Sequence, residues 1–162
     1  MAIGKHFFVA IHALAIIAAF QGEMKITSEK IAESTGMNAV TIRNTFRSLK
    51  SANLIRVKPG PGGVTLAAPP DTITLLAIYN AVEAEPLSDI FHLSQTGAPS
   101  CPVGRNITSI LSDYFHQAAA LMCDRLNATT LSDITCDLRK VEPELIAPWD
   151  IEKALHTNGF ER

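Results

Sequence analysis

Apolar and polar positions change rhythm along this chain, and each change marks an element. From Phe7 to Phe20 nearly every residue is apolar, which predicts a helix buried behind whatever follows it. At Thr27 the spacing becomes helical. Thr27 or Ser28 can cap the free N–H groups of a helix whose Ile31 and Ala32 face inward, and Gly36 ends it. Met37 and Asn38 complete a turn, Asn38 can cap the next helix, and Ile42, Phe46 and Leu49 recur at i, i+4 and i+7 as its buried stripe. Two short β-prone pieces then run from Arg56 to Leu66 around the tip Pro59-Gly60-Pro61-Gly62-Gly63. Taken alone, that hairpin would be an ordinary turn with solvated charges. Directly behind a helix pair it predicts the wing of a winged helix-turn-helix.

Pro69-Pro70 closes this module, and Asp71 or Thr72 can cap a linking helix with Ile73, Leu76, Ala77, Asn80 and Ala81 along one side. Periodicity fails from Glu85 to Pro102, so a loop is expected there, with a short helical piece near Leu87 to Phe91. Beyond it Ile107, Ile110, Leu111, Tyr114, Phe115, Ala118, Leu121, Met122 and Leu126 recur every three or four residues. A small domain cannot cover so long a stripe, and a second copy of the chain is its natural cover, the alternative being a monomer with the stripe folded inward. The expected fold is mainly α with a small β wing. A winged helix-turn-helix DNA-binding domain spans 1–68, a linking helix and loop 69–103, a dimerisation helix region 104–138 and a C-terminal tail 139–162. The tail carries Trp149 and a weak helix around Ile151 to Leu155.

Charge sharpens this picture through its distribution. The 162 residues carry a net charge of −2. Residues 1–60 hold eight Lys/Arg against three Asp/Glu, a net of +5, and the remainder six against thirteen, a net of −7. A basic N-terminal half attracts polyanions, with an affinity that falls as salt rises. The outward face of the second helix of the pair, with Thr41, Arg43, Asn44, Arg47 and Lys50, offers donors to phosphates and base edges in the major groove. With Thr27, Ser28, Asn38, Lys58, Gly60, Gly62 and Gly63 it makes the candidate double-stranded DNA surface, and a homodimer would read a pseudo-palindromic site. The candidate dimer surface is Ile107, Ile110, Leu111, Tyr114, Phe115, Ala118, Leu121 and Met122.

These residues resemble the small winged-helix regulators that include the iron–sulfur cluster assembly regulator and the cysteine-metabolism repressor. The resemblance covers about residues 3–137. It rests on the apolar opening Phe7 to Ile17, Ile31-Ala32, Ile42, Leu49-Lys50-Ser51-Ala52-Asn53-Leu54-Ile55 and Gly60-Pro61-Gly62-Gly63. Ile73 to Ile78, Ala81-Val82-Glu83 and Cys101-Pro102-Val103-Gly104-Arg105-Asn106-Ile107 carry it further. It implies dimeric transcription factors, mostly repressors, with DNA contacts at Val40, Thr41, Arg43 and Asn44 and at a wing around Lys58 to Gly63. Asn53 and Val64 depart from the family, standing where Gly and an aromatic residue are frequent.

Cluster-binding members carry three closely spaced cysteines before the long helix, because iron–sulfur clusters take thiolate ligands. Only Cys101 lies there in this chain, so the resemblance is to a branch without a cluster and no cofactor is expected. His92 and His116 are too scattered to replace the missing pair. Cys101, ahead of a helix N-terminus and near Arg105, is a candidate redox sensor, the alternative being an apolar plug; Cys123 and Cys136 read as core residues. His12 has no second ligand at metal spacing and reads as a satisfied core or edge histidine.

Three cysteines in an odd set suit a reducing cytoplasm, and the 14-residue apolar run at Phe7 to Phe20 is too short to span a bilayer, so no membrane partner is expected. No nucleophile–base order, phosphate-binding Gly loop or metal-spaced His/Glu pair points to an enzyme. Beside the DNA reading stands a winged-helix protein-interaction adaptor. An unidentified small-molecule or redox signal is the expected input.

Overall fold

The computed structural model describes residues 4–58, 63–91 and 100–143. Gly60 and Gly62 of the wing tip, His92, Trp149 and the weak tail helix lie outside the described residues. Six helices and one two-stranded sheet make up the described fold: α1 (Lys5–Phe20), α2 (Ser28–Thr35), α3 (Ala39–Ser51), β1 (Ile55–Lys58), β2 (Gly63–Leu66), α4 (Leu75–Val82), α5 (Pro102–Asn127) and α6 (Leu131–Val141). No helix among the described residues is long and apolar enough to cross a membrane.

α1 is the axle. It buries Phe7, Ala10, Ala13, Leu14, Ile17 and Phe20 and touches α2, α3, α4, α6 and β2, which explains why its apolar residues occupy nearly its whole circumference. Gly4 gives its N-terminus no side-chain cap; the Glu83 carboxylate, just past α4, accepts from the Phe7 N–H at 3.1 Å instead. At the other end Gln21 Oε1 accepts from the Leu66 N–H at 2.8 Å and ties β2 to the helix.

The helix pair begins and ends where its caps dictate. Thr27 Oγ1 accepts from the Lys30 N–H, Gly36 closes α2 at φ +65°, and Asn38 Oδ1 accepts from the Thr41 N–H at 2.7 Å. Ile31, Ile42 and Leu49 are fully buried. Each such side chain contributes roughly 1.5–3 kcal/mol on burial, against about 1 kcal/mol for a cap. Core packing therefore places α3, and the Asn38 cap decides where it starts. β1 and β2 pair antiparallel in the register Ile55 with Leu66 and Lys58 with Gly63. Asn53 adopts φ +56°, a left-handed conformation that explains why glycine is frequent at this family position.

The start and the buried face of α4 are corrected. Pro70–Thr72 form a 3-10 turn, and the cap of α4 is Thr74, whose Oγ1 accepts from the Ala77 N–H, rather than Asp71 or Thr72. The buried face is Leu75, Ile78 and Tyr79, with Asn80 exposed, because the helix starts later than expected. α4 packs on α1, α3 and α5. The segment from 104 holds two helices, α5 and α6. A capping box between Thr130 and Asp133 starts α6, which folds back on α1 and runs to Val141. The return is fixed by backbone bonds from the Leu75 N–H to the Thr129 carbonyl and from the Leu131 N–H to the Ile73 carbonyl.

Candidate nucleic-acid interface

α2, α3 and the wing enclose an open cleft of about 510 Å³ on the molecular surface. Its walls carry Lys25, Arg43, Arg47, Lys50 and Lys58 with a single carboxylate, Glu29. The local fold explains this convergence. Burying Ile42, Phe46 and Leu49 turns Arg43, Arg47 and Lys50 outward on the same helix. Pairing of the Val64 N–H with the Ile26 carbonyl at 3.1 Å docks β2 against the segment before α2, bringing Lys25 and Lys58 to one rim.

Of the predicted DNA-contact residues, Thr27, Ser28, Arg43, Arg47, Lys58 and Gly63 line this cleft. Val40 stands on the α3 ridge, 61% exposed. Thr41 and Asn44 face a second, polar hollow of about 220 Å³ on the other flank of α3, shared with His6 and Ser48. The side-chain oxygens of Thr27 and Asn38 are engaged in capping. Gly63 sits at φ +71°, where a Cβ would lie 2.9 Å from the Ile26 carbonyl oxygen, so close wing packing already demands glycine.

Both arginines of α3 are held. Arg47 Nη1 donates to Asn44 Oδ1 at 3.2 Å, and Arg43 Nη2 donates to Glu29 Oε1 at 2.7 Å. The Arg43 bond, helped by the Ser28 hydroxyl, brings the Glu29 carboxyl down to about 2 from an ordinary 4.5. Glu29 and Lys25 are the cleft residues that sequence reasoning missed. Lys25 could have been found as a cation immediately before the apolar Ile26; Glu29 lies 14 residues from Arg43, and only the crossing of two helices joins them.

A second exposed surface runs along α5. Val103, Ile110, Tyr114 and Leu121 are 68%, 52%, 67% and 71% exposed, with Leu111 and Ala118 beside them. Phe115 and Met122 turn the other way: Phe115 stacks on Phe91 at 5.0 Å between ring centroids, and Met122 packs with Cys123 and Leu126 on the core. The predicted dimer stripe therefore divides into an outward and an inward half.

The cysteines do not gather. Cys101 is exposed at the N-terminus of α5, where its Sγ accepts from the Gly104 N–H at 3.5 Å, and it is not the apolar plug of the alternative reading. Cys123 is partly buried as expected, while Cys136 is exposed on α6 because that face turns away from α1. No three His, Cys, Asp or Glu among the described residues converge as metal ligands. His12 is an edge histidine: its Nε2 meets Ser34 Oγ at 3.1 Å, and burial lowers its pKa from the ordinary 6.5.

Comparison with known proteins gives the same architecture. YwnA of Bacillus subtilis (strain 168), a candidate HTH-type transcriptional regulator, is 32% identical over 132 residues, covering 82% of this chain and 96% of its own. The global cysteine regulator CymR of B. subtilis superposes with a TM-score of 0.65 at 20% identity, over 84% of this chain and 97% of that one. IscR of T. potens gives 0.67 at 20% identity, over 88% and 91%. The model of the family described as Rrf2, iron-dependent transcriptional regulator, matches residues 3–137. With a winged helix-turn-helix at its head and a long helix behind, the chain belongs to the Rrf2 family, whose members are transcriptional regulators rather than enzymes.

Proposed function

We propose that this chain is a sequence-specific double-stranded DNA-binding regulator, acting in the cytoplasm as a homodimeric repressor on a pseudo-palindromic operator. The observation that carries the reading is the cleft between α3 and the wing, where five cations converge around the outward face of a helix supported on a rigid core. Lys25, Lys50 and Lys58 at its edges suit phosphates, which fix register without reading sequence. Arg43, Asn44 and Arg47 carry donors for base edges, and the exposed Val40 offers an apolar contact to a thymine methyl group. The outward apolar half of α5 supports a second copy as its cover, since a contiguous exposed patch of this kind marks an interface.

The reading has no iron–sulfur cluster, in keeping with the scattered cysteines. The input is an unidentified small-molecule or redox signal, for which exposed Cys101 is the candidate thiol. Oxidant-triggered release that persists in Cys101→Ser would remove that residue from the scheme.

The test is selection of host genomic fragments by the purified protein at near-physiological salt, with and without thiol reductant. Recovery of one palindromic motif is expected. Enrichment of nothing beyond a salt-sensitive background would favour the protein-interaction adaptor.

A further inference from the structure

Glu29 places a negative charge where a DNA reader has least use for one. It is the only carboxylate lining the α2–α3–wing cleft among the described residues, and it faces the helix that carries the base-reading donors. Its position in the first turn of α2 suits the helix dipole, but that alone would not aim it at Arg43. Glu29 Oε1 accepts from Arg43 Nη2 at 2.7 Å and from Ser28 Oγ at 3.0 Å. The two side chains are 63% and 56% exposed, so the pair adds little to folding stability. Its effect falls on Arg43 itself. A guanidinium on a flexible stem would otherwise swing to the nearest phosphate, which carries no sequence information. Once it is paired with a carboxylate, its remaining N–H groups favour one orientation and part of its charge toward the backbone is offset.

We infer that Glu29 is a specificity-determining positioning residue: it withholds Arg43 from the phosphate backbone and presents it to a base edge. The inference rests on the DNA-binding reading above. Removing the carboxylate frees a cation for non-specific contact and costs the fixed orientation, so discrimination falls while general affinity rises.

The experiment compares wild type, Glu29→Gln, Glu29→Ala, Arg43→Ala and the double variant Glu29→Ala/Arg43→Ala. Each is measured on a duplex bearing the selected motif and on a shuffled duplex, across a salt series. In Glu29→Gln and Glu29→Ala the shuffled duplex should bind severalfold more tightly and the specific-to-shuffled ratio should fall about tenfold. The plot of log affinity against log salt should steepen by about one per protomer, the value for one added phosphate contact. With Arg43→Ala as background, removing Glu29 should change neither quantity. An unaltered ratio and slope in the single variants would overturn the inference, as would an equal shift without Arg43, which would reduce Glu29 to a general repulsive charge. A wild type with no preference for its selected motif would instead overturn the DNA reading, and this inference with it.

Discussion

The cleft between α3 and the wing and the outer face of α5 are both exposed, and they are built on opposite principles. In the cleft the side chains are charged and several are tethered, Arg43 to Glu29 and Arg47 to Asn44. On α5 the outward side chains are apolar, and no residue among those described buries them. A tethered polar surface is prepared to discriminate between partners, because its donors already point in fixed directions. An untethered apolar surface gains whenever it is covered, and depends on shape and concentration. Salt should therefore weaken the first contact and leave the second nearly unchanged.

The largest effect that would break this comparison comes from charging α5. Tyr114→Glu combined with Leu121→Glu removes two side chains, each contributing roughly 1.5–3 kcal/mol when buried. Sedimentation should show a monomer at concentrations where wild type is paired, and operator affinity should fall at least a hundredfold. Helical content should remain, because neither residue faces the core. Next comes Arg47→Ala, which should cost about 1–3 kcal/mol per half-site when its contact is to a base, with the dimerisation constant unchanged. Gly63→Ala should cost about 1–3 kcal/mol of stability through its left-handed backbone and the contact with Ile26, read as a lowered melting temperature without loss of dimer.

The smallest effect is in pH. Glu29, held at about 2, stays charged through the neutral range, and its contribution is lost only as pH falls from the ordinary 4.5 toward 2. His12 is lowered by burial, so the folded state favours its neutral form. Its contribution is complete above 6.5 and declines as pH falls below that value. Melting curves should soften at pH 5.5 relative to 7.5 in wild type and less so in His12→Gln, while Glu29 stays charged.

What could be read from the sequence follows how local each signal is. Thr27, Gly36 and Asn38 lie within a turn of the boundaries they set, so the helix pair was legible in full. α5 was legible as a helix, but a three-to-four-residue period cannot divide one broad stripe into the half that meets the core and the half that meets solvent. Phe115 and Met122 were separated from Tyr114 and Leu121 only by the positions of Phe91 and α4. α6 escaped although Leu131, Ile134, Leu138 and Val141 recur at helical spacing, because its capping box uses Asp where Glu or Gln is the usual signal. Glu29 and Arg43 meet through a helix crossing that neither segment announces.

α5 is held against the core over its second half. Phe91 grips its flank, and backbone bonds at Thr129 and Leu131 join its far end to the start of α4, which itself packs on α3. A lever held at its middle and at its far end acts as a caliper. In a pair of such chains the gap between the two reading helices is set by the crossing angle of the α5 helices rather than by a slack tether. Half-site spacing should then be a rigid property of the operator, and one inserted base pair, about 3.4 Å and a tenth of a turn, should abolish simultaneous engagement.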